Sequence, residues 1–131
     1  MINKKKRKKR IMVDLTCSIL HHGHIRLLKK ASKIGRVVVA LTSDDDIKKV
    51  KKFTSPLNFS QRKEILLSIK YVYQVVKSKW SITDSFLKKH NIDFLVHGND
   101  NRNKISTKYL KIFSRTKKIS STLIRSKIYK N

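Results

Sequence analysis

R-V-V-V-A-L-T, residues 36–42, is a run of apolar and β-branched residues without polar alternation. Such a run predicts a strand that is buried on both faces, as in a parallel sheet. The segment before it, residues 22–35, places Ile25, Leu28, Ala31 and Ile34 at near-helical spacing and stops at Gly35. A helix that leads directly into a buried strand is typical of a crossover unit.

The same alternation continues along the chain. Further strands are predicted at residues 11–17, 71–76, 92–98 and 109–114. Helices are predicted at 61–70 behind a capping box formed by Asn58 and Gln61, at 82–90 behind Ser81, and at 123–130 behind Ser120. A short helix or loop opens at the acidic residues 44–46. We therefore predict an α/β fold: a single Rossmann-like, doubly wound domain with a mainly parallel five-stranded sheet.

The charge of the chain is unusual. Its 131 residues include 33 basic and 8 acidic ones, for a net charge of +25. A polyanionic partner would explain this excess. An enrichment in lysine that comes with A/T-rich codons would explain it equally well, and it is favoured because the basic residues are spread along the whole chain.

The densest basic run is KKKRKKR, residues 4–10. We predict residues 1–10 to be a disordered basic arm and residues 11–131 to be the folded domain. Contact of the arm with nucleic acid or with an anionic membrane agrees with its charge but is not favoured. Asp14 interrupts the apolar residues behind the arm, which excludes a signal peptide, and no apolar stretch approaches membrane-spanning length. We expect a cytoplasmic protein.

Three polar segments follow predicted strands: LHHGH at 20–24, HGND at 97–100 and SRTKKISST at 114–122. The carboxyl ends of parallel strands share one edge of the sheet, and ligands of such sheets bind there. We therefore expect the three segments to meet at one site.

The histidines of the first segment suggest the chemistry of that site. Gly23 allows close approach to a ligand, and the helix start behind it offers free amides and a positive dipole end. His21 and His24, three residues apart, can point into the same space and donate hydrogen bonds to a phosphate. A zinc site is disfavoured, because no cysteine or carboxylate cluster stands at zinc spacing. His22 is expected to face solvent.

Two further histidines and the single cysteine complete the candidates. His90 is expected at a helix end, and His97 adjoins Gly98 near the proposed cleft. Cys17, the only cysteine, is expected to be a small buried hydrophobe at a strand end rather than a catalytic thiol.

Four ordered segments carry a resemblance to a known family. L-T-C-S-I-L-H-H-G-H resembles the G-T-F-D-x-x-H-x-G-H signature of the nucleotidylyltransferases, and R-T-K-K-I-S-S-T resembles the R-T-E-G-I-S-T-T motif of their cytidylyltransferase branch. Between them, QRKEILLSIKYV and NIDFLVHGND are similar to two further stretches of that branch. The resemblance covers residues 13–128 and is closest to the glycerol-3-phosphate, phosphocholine and phosphoethanolamine cytidylyltransferases.

The resemblance implies transfer of CMP from CTP to a phosphorylated small alcohol, with release of pyrophosphate, by a homodimer that uses Mg²⁺ on the triphosphate. It implies as catalytic residues His21, His24, Lys51 and Arg115. It implies as nucleotide-binding residues Thr16, Cys17, Gly23, Gly98, Asn99, Asp100, Ile119, Ser120, Ser121 and Thr122. It implies that Arg62 helps to bind the substrate phosphate or braces the fold.

The chain departs from the family pattern at several positions. The signature glycine and aspartate are replaced by Leu15 and Ser18, and further acidic or flexible positions hold Tyr73, Gln74, Lys117 and Lys118. Three alternatives therefore stay open: an adenylyltransferase of the same superfamily, an inactive relative of the enzymes, and a non-enzymatic RNA-binding module.

Overall fold

The computed structural model describes residues 7–97 and 105–112, together with Ile124 and Lys127. Five strands form one sheet: β1 (Arg10–Leu15), β2 (Arg36–Thr42), β3 (Val72–Ser78), β4 (Phe94–His97) and β5 (Leu110–Ile112). Among residues 7–97, four helices connect them: α1 (His22–Ser32), α2 (Asp44–Lys51), α3 (Phe59–Leu67) and α4 (Asp84–Lys89). A single 3-10 turn (Thr107–Tyr109) precedes β5.

All four strand pairings are parallel, in the order β3-β2-β1-β4-β5. The chain moves outward from β1 to β3 and then returns to the other side of β1 to form β4. The direction of winding therefore reverses between β1 and β4, and parallel sheets of this kind bind their ligands outside the carboxyl ends of the strands at such a reversal. The predicted doubly wound α/β fold is confirmed.

Side-chain alternation divides the core into two layers. Val37, Val39 and Leu41 of β2 pack in the layer that also contains Leu28 of α1 and Leu66 of α3. Val38 and Ala40 of the same strand lie in the opposite layer with Leu87 of α4. Because β2 is buried on both sides, its sequence shows no polar alternation.

Several predicted boundaries needed correction. The structure caps α4 with Thr83, whose Oγ1 accepts from the Phe86 N–H at 3.3 Å, rather than with the predicted Ser81. The reason is that Ile82 is buried before the helix begins, so the chain can turn only after it. The predicted first strand ends at Leu15 because Cys17 adopts a left-handed conformation, with φ 53°. The acidic segment is a helix, capped by Ser43.

Part of the predicted basic arm belongs to the sheet. Arg10 is the first residue of β1, and the Arg7 guanidinium lies 3.0 Å from the carboxylate of Asp93. The Lys9 carbonyl accepts from the Arg36 N–H at 2.8 Å. Of the predicted terminal helix, only Ile124 and Lys127 are described, and both are helical. Within the described ranges, no helix is long and apolar enough to cross a bilayer.

The close approach of the Lys9 carbonyl to Gly35 leads to a testable prediction. A Cβ atom at residue 35 would overlap that backbone carbonyl, which β1 and β2 hold in place. We expect Gly35→Ala to lower the free energy of unfolding by about 1–3 kcal/mol, measured by urea denaturation. Lys33→Ala, at an exposed position two residues earlier, is the matched control. A loss no larger than that of the control would contradict the close approach.

Candidate active site

The candidate site is built on the connection from β1 to α1. After Leu15 the chain turns through Thr16 and Cys17 and reaches His21, whose extended backbone (φ −141°, ψ 175°) makes it the N-cap of α1. This connection lies at the carboxyl edge of the sheet, where the winding reverses. The first turn of α1 contains no acidic residue. Its positive dipole end is therefore not neutralised by a side chain of the same turn.

His21 and His24 cap this helix reciprocally. Nδ1 of His21 accepts from the Gly23 N–H at 3.0 Å, and Nδ1 of His24 accepts from the His21 N–H at 3.1 Å. The two imidazole rings lie with their centroids 3.9 Å apart. The sequence prediction that these two histidines share one space is confirmed.

The capping bonds fix the tautomer of both rings. A nitrogen that accepts a hydrogen bond cannot carry a proton, so each neutral ring must hold its proton on Nε2. Both histidines therefore keep an N–H donor for a ligand. Burial, with the charge of His22 as a smaller cause, lowers the pKa of His21, and burial together with His21 lowers the pKa of His24 to about 4. Both rings are neutral donors at pH 7.

His22 and His90 do not join this pair. His22 is exposed, as predicted. His90 is the C-cap of α4 and packs edge-on against Phe86, with centroids 4.6 Å apart, which confirms its predicted place at a helix end. His97 is the last residue of β4, at the same edge of the sheet as His21.

The residues of the turn before α1 are part of the core. Cys17 is 5% exposed, and burial raises the pKa of its thiol to about 12, with the charge of Arg62 opposing the shift. A thiol with this pKa stays protonated at neutral pH, so the prediction of a buried hydrophobe is confirmed. Leu15, at the family's glycine position, packs in the core layer of α1, and Ser18, at the aspartate position, is 1% exposed.

The Arg62 guanidinium connects several segments of the chain at the carboxyl edge of the sheet. Its Nη1 donates to the carbonyls of Thr16 and Thr42, both at 2.8 Å, and its Nε donates to the Leu57 carbonyl at 3.2 Å. Its Nη2 lies 2.6 Å from the carboxylate of Asp44. One guanidinium thus joins the carboxyl ends of β1 and β2, the start of α2 and the loop before α3.

This geometry decides between the two roles that the sequence allowed for Arg62. Its side chain is 0% exposed, so a phosphate from solvent cannot reach it, whereas the Asp44 side chain is 46% exposed. The structure favours the brace over the substrate ligand. Partial burial opposes ionisation of Asp44, but hydrogen bonds from the Phe59 N–H and Arg62, with the charge of Arg62, hold the pKa of this carboxyl below its usual range.

Lys51 lies at the same carboxyl edge of the sheet, in the connection between β2 and β3. It ends α2, is exposed, and holds its ammonium 5.5 Å from the ring centroid of Trp80, which follows β3. Asp46 anchors the start of α2 there, because its Oδ2 accepts from the Trp80 N–H at 2.6 Å. No described contact joins Lys51 to the histidines.

The remaining predicted site residues lie outside the described residues. They are Gly98, Asn99, Asp100, Arg115, Ile119, Ser120, Ser121 and Thr122. Gly23 and Thr16 are described, and both serve the site through backbone atoms: the Gly23 N–H binds His21, and the Thr16 carbonyl binds Arg62. In the part of the chain that is described, no group of three or more His, Cys, Asp and Glu side chains could hold a metal ion.

Sequence reasoning missed the roles of Asp44 and Asp46. It treated the acidic run as a helix start, which it is, but Asp44 also binds Arg62, 18 residues away, and Asp46 binds Trp80, 34 residues away. No local spacing signals such pairs. The one available hint was an arginine inside an otherwise apolar helix face, since a buried arginine requires a partner.

Removal of the Arg62 guanidinium should destabilise the carboxyl edge of the sheet. Arg62→Met would leave three backbone carbonyls without this donor and Asp44 without its partner, and we expect a loss of about 3–5 kcal/mol in the free energy of unfolding. Arg62→Lys, which keeps one charge but loses the planar fork, should lose less. Urea denaturation would measure both. Wild-type stability in Arg62→Lys, together with a raised KM for a phosphorylated substrate, would instead show a ligand role.

The lowered pKa of His24 should make stability depend on pH. Between the ordinary pKa of 6.5 and the folded value of about 4, the unfolded chain binds a proton that the folded chain does not, so stability falls as the pH drops through this window. His24→Asn keeps an acceptor for the cap but cannot titrate. From pH 7 to pH 4.5, the wild type should lose on the order of 2 kcal/mol more than this variant. Parallel losses would refute the shift.

Comparisons with known proteins point to one family of enzymes. Residues 16–127 match the family model described as Cytidylyltransferase-like. The glycerol-3-phosphate cytidylyltransferase of Staphylococcus aureus is 33% identical over 92% of this chain and 96% of its own length. The FAD synthase of Thermococcus kodakarensis is 31% identical over 76% of this chain and 68% of its own length.

A solved structure confirms the architecture. The lipopolysaccharide core biosynthesis protein of Thermoplasma volcanium superposes with a TM-score of 0.72 at 20% identity, over 84% of this chain and 99% of that protein. Because the family model spans most of the chain and the relatives align along their own lengths, the assignment does not depend on one motif. The chain belongs to the cytidylyltransferase-like family of nucleotidyltransferases.

Proposed function

We propose that this protein transfers CMP from CTP to a phosphorylated small alcohol of the glycerol-3-phosphate type and releases pyrophosphate. The observation that carries the proposal is the reciprocal histidine cap, which leaves an Nε2–H donor on each ring at the start of α1. The similarity to the enzyme of Staphylococcus aureus along nearly its whole length supports the choice of substrates.

The proposed reaction is a direct displacement. An oxygen of the acceptor phosphate attacks the α-phosphorus of CTP, a new P–O bond forms, and the bond to the β-phosphate oxygen breaks as pyrophosphate leaves. The protein stabilises charge that gathers on the phosphate oxygens and aligns the two substrates. His21, His24 and the start of α1 would serve the reacting phosphates, and Lys51 would neutralise the triphosphate.

The residues beyond the described ranges complete the proposal. Arg115 and the segment Ile119, Ser120, Ser121 and Thr122 are proposed to bind the phosphates, and Gly98, Asn99 and Asp100 to line the cytidine pocket. The Mg²⁺ is proposed to enter as part of the MgCTP substrate. We also propose, from the family resemblance, a homodimer located in the cytoplasm.

Replacement of each histidine by asparagine tests its proposed role in catalysis while keeping the helix cap. His21→Asn and His24→Asn retain a side-chain oxygen for the helix cap but remove the imidazole donor. We expect each to lower kcat by about 10²–10³-fold at unchanged fold, since a preorganised donor at a reacting phosphate contributes on that scale. His22→Asn, the exposed neighbour, is the matched control and should keep full activity. The readout is pyrophosphate release from MgCTP and glycerol 3-phosphate.

Several outcomes would contradict the proposal. Equal loss in the His22→Asn control would show that the segment matters only for folding. Pyrophosphate release with ATP but not with CTP would favour adenylyl transfer, an alternative supported by the similarity to FAD synthase. Binding of MgCTP without turnover on glycerol 3-phosphate, phosphocholine or phosphoethanolamine would indicate an inactive relative of these enzymes.

A further inference from the structure

One edge of the sheet collects many exposed basic residues. In a parallel sheet the helices run opposite to the strands, so helix C-termini collect where the strands begin. We call this side the amino edge, defined by the residues just before β1, β2, β3 and β4 and by the last turns of α1, α3 and α4. The contacts of Lys9 with Arg36 and of Arg10 with Asp93 and His90 place three strand starts and the end of α4 there together.

Basic residues dominate the amino edge. Residues 7–9 contribute three exposed bases ahead of β1, and α1 contributes Lys29, Lys30 and Lys33 at its end. The end of α4 contributes Lys88 and Lys89.

Two more exposed bases are Arg36, the first residue of β2, and Lys70, which lies just before β3. The amino edge is therefore a broad cationic surface.

Most of the described acidic residues are placed elsewhere, although Glu64 stands in the last turn of α3 at this edge. Asp44, Asp45, Asp46 and Asp84 stand in the first turns of α2 and α4. At the amino edge the described residues include Asp93, and it already binds Arg7 and the Arg10 N–H. Helix dipoles explain lysines in the last turn of a helix, but not the basic residues that precede β1.

The chemistry of the surface favours a layer of lipid phosphates over a nucleic acid. Lysines are point charges without the planar fork that reads a fixed phosphate geometry, so they suit a fluid anionic surface. Single-stranded nucleic acid also needs open aromatic rings for base stacking.

Three aromatic rings at this edge each have a cation over one face. The Arg36 guanidinium lies 4.7 Å from the centroid of the Tyr73 ring, and the Lys9 ammonium lies 5.5 Å from that of Phe94. The Lys70 ammonium lies 5.2 Å from the centroid of Tyr71. Each of these rings thus has a face that a cation already occupies and a base cannot stack on.

We propose that the amino edge binds the surface of an anionic phospholipid bilayer. The helix start with His21 and His24 lies at the opposite edge of the sheet, so the bound protein would turn its candidate active site toward solvent. The proposal concerns a second surface and does not depend on the transferase activity.

Vesicle sedimentation of the full chain tests this surface. The probe is phosphatidylcholine vesicles that contain about one third phosphatidylglycerol, with pure phosphatidylcholine vesicles as the neutral reference. The test variant replaces Lys33, Lys88 and Lys89 with glutamine. The matched control replaces Lys48, Lys49 and Lys79, which are equally exposed but belong to α2 and to the carboxyl end of β3.

We expect binding to the anionic vesicles alone, and weaker binding as salt rises from ~0.05 M to ~0.5 M. Each lysine near an anionic surface contributes roughly fivefold in affinity, so the test variant should bind about 100-fold more weakly and the control much less so. The proposal is overturned by absence of binding at low salt or by equal loss in both variants. Binding to single- or double-stranded RNA that is tighter than vesicle binding, and is weakened by the same test variant, would also overturn it.

Discussion

The buried guanidinium of Arg62 is the interaction on which the carboxyl edge depends. The backbone carbonyl oxygens at the ends of β1 and β2 are both hydrogen-bond acceptors. They cannot bond to each other, so they need a donor from another part of the chain. Arg62 supplies donors to Thr16 and Thr42 and joins Asp44 to them. The buried charge of Arg62 is tolerated there because it has four acceptors, one of which is the ionised carboxylate of Asp44. The turn that delivers His21 therefore starts from a fixed point.

Each ring of the histidine pair both caps the helix and offers a hydrogen-bond donor to a ligand. The N-terminus of a helix needs acceptors for its free amides, and a phosphate site needs donors. An imidazole provides both, since Nδ1 can accept while Nε2 donates. An aspartate at His21 or His24 would cap the helix equally well but would repel a triphosphate. Burial keeps both rings neutral, so the caps hold at physiological pH, and only a bound polyanion would favour a second proton on either ring.

The topology also explains how a chain with a net charge of +25 can keep two different surfaces. The starts of α1, α2 and α4 face the carboxyl edge, where acids are favoured, and the ends of α1 and α4, where bases are favoured, face the amino edge. In this chain the acids of α2 bind Arg62 and the Trp80 N–H. Several bases of the amino edge contact Asp93 or an aromatic ring and are still exposed to solvent. The proposed catalytic site and the proposed membrane-binding surface lie on opposite sides of one sheet.

The sequence by itself determined the crossover units, the parallel sheet and the histidine pair, because these depend on local hydrophobic periodicity and on caps three residues apart. It also identified Cys17 as a core residue and His22 as an exposed one. The start of α4, the end of β1 and the role of Arg62 were decided only by the tertiary structure. In each case a residue distant in sequence competes for the same atoms: Ile82 is drawn into the core before its helix can begin, and Arg62 meets partners 18 and 46 residues away. Local propensity carries no information about such partners, because it is the packing of the sheet that brings them together.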